Sequence, residues 1–243
     1  MNDYLAALTL AALPAAGNFL GGVLSEAVPV TRRTLGLALH AAAGIVLAVV
    51  GIELMPEALA ADHPWVVLLA FVAGGGFFIA IDHAIGLVKT RFGTTSTSAA
   101  PWTIYFGVAV DLFSDGVMIG TGSTIALSLA LLLALGQVPA DIPEGFATIA
   151  TFKQQNVPRR LRLLLAASLT IPIFLGTTIG YWAVRDQPEI VKLALLAFTA
   201  GILLTVVIEE IVPEAHEDGE ARFAALLLVG GFALFALIST YVE

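Results

Sequence analysis

Apolar stretches of about 20 residues follow one another along nearly the whole chain, and nothing else in the sequence restricts its fold so tightly. Each stretch is long enough to cross a hydrocarbon core of roughly 30 Å as a helix. Composition agrees: 58% of the 243 residues are hydrophobic and 12% charged, against about 45–50% and about 25% in soluble domains. That surplus of apolar surface has no place in water, so the predicted class is all-α, a polytopic membrane protein with residues 1–243 forming one transmembrane domain. A net charge of -8 without a basic patch excludes nucleic acid as a partner. The absence of Cys excludes disulfides and thiolate metal ligands together, leaving carboxylates and four His residues as ligand candidates. The segment Met1-Asn2-Asp3-Tyr4 lacks the cationic region of a signal peptide, so the first span is expected to stay in the mature protein.

Eight spans are expected near 4–24, 35–60, 65–88, 102–122, 125–152, 161–184, 190–213 and 222–241. Basic residues are retained on the cytoplasmic side. One set of connections holds Arg32, Arg33, Lys89, Arg91, Lys153, Arg159, Arg160, Arg162 and Arg222, the other only Arg185 and Lys192. Nine against two places the first set inside and both termini outside, in a cell (inner) membrane. Residues 89–101, with Thr94-Thr95-Ser96-Thr97-Ser98, read as a cytoplasmic loop.

Two segments repeat. Residues 44–58 align without gaps to 201–215, and nine of the fifteen pairs are identical, ending in a shared Glu-x-x-Pro-Glu-Ala. They fall in the second and seventh spans, which cross in opposite directions. An inverted repeat of this kind is a transporter construction, with the substrate site near the bilayer midplane. The expected plan is three helices, two central helices and three inverted helices.

Carboxylates within the spans carry the chemistry. The fourth span contains Asp111-Leu112-Phe113-Ser114-Asp115-Gly116, and the fifth contains Ala140-Asp141-Ile142-Pro143-Glu144-Gly145. Ionised groups at this depth cost several kcal/mol unless they meet a cavity, a counter-ion or a permeating ion. Spacings of four and three residues put each pair on one helix face. No central Lys or Arg neutralises them, which leaves protons or a metal ion. The competing reading is that the four acids are protonated or line a solvent-filled crevice. Gly116, Gly120 and Gly122 read as close-packing positions rather than ligands. The repeat adds Glu53 and Glu57 toward the outer face, and Glu210 and Glu214 toward the inner face, each pair separated by a Pro-containing turn. At the inner end Asp82, His83, Glu209 and His216 are candidates to join the Glu210 pair, although single His residues at helix ends are more often surface groups.

At these residues the chain resembles the ZIP (Zrt/Irt-like protein) family. Phe113-Ser114-Asp115-Gly116 and Asp141-Ile142-Pro143-Glu144-Gly145 resemble the family's paired central motifs, and Glu53 to Ala58 and Glu210 to Ala215 resemble its Pro-Glu-Ala endings. Departures accompany the matches. Asp111 stands where the family usually has His, Leu112 where it has Asn, Ala140 where it has His or Gln, and Ile171 where many members have Glu. The resemblance implies a divalent metal ion of the zinc, iron or manganese class as substrate. Asp111, Asp115, Asp141 and Glu144 would form a single site, joined by Glu53, with Glu210, Glu209 and Asp82 along the inner exit. The expected partners are the cation, the lipid bilayer and, in a homodimer, a second copy of the chain. Carrier-type transport leads the functional readings, and the chain is not expected to be an enzyme. A proton- or sodium-coupled carrier of another solute and a non-transporting metal-binding relative stand as alternatives. A metalloprotease is disfavoured because no His-Glu-x-x-His occurs.

Overall fold

The computed structural model describes residues 2–28, 31–91, 100–213 and 221–242. Among them the chain forms eight helical rods and no strand. These are α1 (Asn2–Ala27), α2 (Arg32–Ala48, Val49–Leu54 and Met55–Ala60 in one run), α3 (Pro64–Arg91) and α4 (Ala100–Gly122). They continue with α5 (Leu127–Gln154), α6 (Arg159–Ser168 and Thr170–Val184), α7 (Glu189–Val206 and Val207–Ile211, helical on to Pro213) and α8 (Ala221–Val242). Each rod lies within a few residues of its expected span. The protein is an all-α polytopic membrane protein, with seven of the eight rods long and apolar enough to cross a bilayer. The remaining rod, α4, carries Asp111 and Asp115 among its 23 residues and packs along α5, α6 and α7. Of the loop expected over 89–101, Lys89 to Arg91 continue α3 and Ala100 opens α4, while residues 92–99 lie outside the described part.

Local chemistry sets the ends of the rods. Pro64 opens α3, and Pro158 and Pro188 immediately precede α6 and α7. A missing N–H costs nothing at these positions, where no helical acceptor is available. Asn156 closes α5 in the left-handed region with φ 58°. Its N–H reaches Lys153 O and that of Val157 reaches Phe152 O, a Schellman-type stop that satisfies the last carbonyls.

Glu53 and Glu57 are not separated by a break, contrary to the expected turn. Val49–Leu54 is a π turn, and the Met55 N–H bonds Val50 O five residues back. In α7 the π turn is Val207–Ile211, and the Val212 N–H bonds Val207 O. The cause is the proline that follows each, Pro56 and Pro213. A proline ring clashes with the carbonyl four residues earlier, and a widened turn relieves the clash without breaking the rod.

Small residues hold the rods together, as expected where lipid removes the hydrophobic drive between helices. The principal pairings are α1 with α5, α4 with α6, α3 with α7 and α2 with α8. At Gly44 a Cβ would sit 1.9 Å from Leu228 O, and at Gly231 one would sit 2.1 Å from Ala41 O. The crossing of α3 and α7 has the same form: 1.9 Å from Gly74 to Phe198 O and 2.0 Å from Gly201 to Phe71 O. Adding 157 to 41, 44, 71 and 74 gives 198, 201, 228 and 231, so the two crossings use equivalent residues. The core runs through α2, α4, α5 and α7, around Val46, Val49, Leu112, Leu133, Ala200 and Leu203. Outside it, α3 and α8 expose Leu69, Val72, Leu226 and Val229, a surface suited to acyl chains.

Both ends of the bundle carry basic and aromatic side chains. At one, Arg162 donates to both carboxylate oxygens of Glu26, Lys153 Nζ donates to Ser25 O at 2.7 Å, and Trp102, Tyr105 and Phe152 pack edge to face. At the other, Tyr4 packs on Tyr181 and Trp182, the Arg185 guanidinium lies 4.5 Å from the Trp182 ring centre, and Lys192 Nζ donates to Thr124 O. Aromatic and basic anchors at both ends are the pattern of a chain seated across two membrane interfaces.

Candidate metal centre

The two carboxylate-bearing helices, α4 and α5, are consecutive and joined by residues 123–126, so they run antiparallel. Asp111 and Asp141 each fall near the middle of their helix. One oxygen from each of Asp111, Asp141 and Glu144 lies within 4.8 Å of the other two. Asp141 is 0% exposed, and among the described residues neither of its oxygens has a hydrogen-bond partner. A buried carboxylate in that condition bears the full cost of desolvation unless a cation or a proton joins it. Lys153, Arg162, Arg185 and Lys192 are engaged at the helix ends and supply no charge at mid-bundle.

Glycines make room for this grouping. A Cβ on Gly116 would lie 2.1 Å from Ile173 O, and one on Gly145 would lie 2.0 Å from Asn18 O. Each carboxylate-Gly pair therefore turns its acid inward and lets another helix press against its back, α6 behind α4 and α1 behind α5. Gly120 meets Thr177 O in the same way, and Gly122 faces the Leu133 side chain.

Asp115 is buried close to the three but differently engaged. Gln137 Nε2 donates to Asp115 Oδ1 at 2.6 Å, with both residues 1% exposed. Asp115 stands one turn from Asp111 on the same face of α4, outside the tight group of three and tied to an amide. Gln137 was not singled out from sequence. Its signal is the spacing Gln137, Asp141, Glu144, which follows one face of α5.

The remaining candidates lie elsewhere. Glu53 is buried in its π turn and accepts a hydrogen bond from Ser239 Oγ on α8, outside the group of three. Glu57 and Glu209 are exposed, as are His63 and His83. His40 is buried, with Nδ1 2.8 Å from Gly36 O. The side chains of Asp82 and Glu210, and residues Glu214 and His216, lie outside the described part. The reading of Ile171 needs correction. It is 56% exposed, so its apolar side chain records no ligand lost from the centre; the α6 residues that press on α4 are Ile173 and Thr177. Leu112 and Ala140, in contrast, are buried within the core beside the carboxylates.

Comparison with known proteins places this architecture. The family described as ZIP Zinc transporter matches residues 94–239, which include both carboxylate helices. The chain is 27% identical to the zinc transporter ZupT of Chlorobium phaeovibrioides and 28% identical to that of Chlorobium luteolum, in each case over 98% of both chains. It is also 25% identical to the human zinc transporter ZIP6, over 66% of this chain and 22% of that protein. With the family match covering more than half of the sequence, and the relatives from Chlorobium aligned from end to end, the chain belongs to the ZIP zinc transporter family.

Proposed function

We propose that this protein carries a divalent metal cation across the membrane into the cytoplasm, binding it midway between α4 and α5. The observation that carries the reading is the group Asp111, Asp141 and Glu144, its oxygens within 4.8 Å, with Asp141 fully buried and without a hydrogen-bond partner among the described residues. Three carboxylates present an all-oxygen donor set to a dication. Zinc is the substrate named for the relatives, and the lack of imidazole in the group also suits harder ions such as manganese or ferrous iron. One ion is bound rather than two. Leu112 and Ala140 offer no bridging ligand, and adjacent dications repel strongly in a low-dielectric site.

The transport plan is an inverted repeat of α1–α3 and α6–α8 around α4 and α5. The shared offset of 157 residues supports it, since that offset relates the glycine crossings and the two π turns. The pairing scheme supports it too: exchanging α1 with α6, α2 with α7, α3 with α8 and α4 with α5 maps each principal pairing onto another. Alternating access by movement of such units around a fixed midplane site follows from this construction. The connections rich in Lys and Arg face the cytoplasm, and residues 2 and 242 face outward. Entry of a dication is then favoured by roughly 4.6 kcal/mol per 100 mV of inside-negative potential.

Purified protein in liposomes tests the proposal. Zinc, manganese or ferrous iron should enter saturably down an imposed gradient and membrane potential. Proton or sodium flux without metal flux would favour a carrier of another solute, and metal binding without uptake would favour a non-transporting protein.

A further inference from the structure

We infer that Gln137 is a positioning residue for transport, its amide competing with the bound cation for Asp115. The inference rests on the proposed metal site and deepens it. Counted from the connection at 123–126, Asp115 and Gln137 form a rung one helical turn, about 6 Å, nearer that connection than Asp111 and Asp141. A cation approaching from that side meets Asp115 first.

Asp115 has one partner among the described residues of the metal-free protein and would gain a second when a cation binds. Its Oδ1 accepts from Gln137 Nε2 at 2.6 Å, a short hydrogen bond between groups that are each 1% exposed. Asp111 stands four residues earlier on the same face of α4, and it groups there with Asp141 and Glu144 of α5. A dication among Asp111, Asp141 and Glu144 would draw Asp115 toward it as a fourth carboxylate. Bond to the amide and bond to the metal draw on the same carboxylate, so what stabilises one arrangement weakens the other. Gln137 takes Asp115 back when the ion leaves, which lowers affinity and speeds release. Its amide also covers the carboxylate that would otherwise stand buried without a donor.

A binding cycle with zinc chloride on the purified full-length protein, paired with zinc uptake in proteoliposomes, tests this. Gln137→Met removes the amide and keeps the side-chain volume. Zinc should bind about tenfold more tightly, the factor equivalent to ~1.4 kcal/mol and at the low end for a hydrogen bond to a charged group. Uptake should show KM and kcat falling together, the signature of slowed release. In an Asp115→Asn background the same change should shift the zinc Kd by less than about twofold. Gln137→Asn, one methylene shorter and still polar, should move Kd in the same direction and serves if the Met variant does not fold. A purely packing role predicts lower stability with Kd unchanged, or equal shifts in both backgrounds; either result overturns the inference, as does weaker zinc binding by Gln137→Met. If the unmodified protein binds no zinc, or if Asp141→Asn with Glu144→Gln leaves its Kd unchanged, the metal-site reading itself has failed and this inference falls with it.

Discussion

Asp141 bears the sharpest conflict between stability and function, because its carboxylate is wholly buried and both oxygens lack a hydrogen-bond partner among the described residues. Neutralising such a group should stabilise the metal-free protein while removing a ligand. Asp141→Asn should therefore raise the melting temperature in chelator, with a gain of about 1–3 kcal/mol. It should also weaken zinc binding at least about tenfold, a shift that calorimetry and zinc-dependent melting curves would both register. Glu57→Gln, on an exposed residue of α2, should leave both properties nearly unchanged. The acids of this centre were legible because charge within an apolar span is expensive and hence informative. Their division was not. That Asp115 binds Gln137 while Asp111, Asp141 and Glu144 group together depends on the relative rotation of α4 and α5, which spacing within one helix does not determine. Ser239, the partner of Glu53, was hidden for the same reason: it comes from α8, 186 residues away.

The rods themselves were the most legible feature, since a hydrocarbon core fixes span length and the apolar runs have clear ends. Less legible were the π turns. Proline predicts the loss of a hydrogen bond, but whether a helix kinks, breaks or widens depends on what its neighbours allow. The neighbours here are clamped through glycine, which yields a paired prediction. Gly44→Ala and Gly201→Ala would each drive a Cβ to within about 2.0 Å of a carbonyl oxygen on another helix, Leu228 or Phe71. Each should cost about 1–3 kcal/mol or more, and the two should behave alike because they occupy equivalent crossings. Gly76→Ala, whose added methyl would meet no other helix within 4 Å among the described residues, should be neutral or slightly stabilising. Thermal melts of the three variants in one detergent are the check. A tolerated Gly44→Ala beside a destructive Gly201→Ala would argue against equivalence of the two crossings.

For the whole molecule the asymmetry of basic residues and the site chemistry each make a prediction. In this Cys-free chain, a cysteine introduced at Ser96 should react with an impermeant reagent from the cytoplasmic side only, and one after Glu243 from the outer side only. Labelling of both from one side would overturn the orientation. Metal ions and protons compete for the same carboxylates, so zinc binding should weaken as pH falls and recover as it rises, with protons released on binding. The most direct measurement of the central claim is zinc uptake into proteoliposomes by the unmodified protein and by the Asp141→Asn, Glu144→Gln double variant, each verified as folded. A carboxylate-bound ion midway across the bilayer predicts saturable uptake by the first and its loss in the second. Full uptake by the double variant would contradict it.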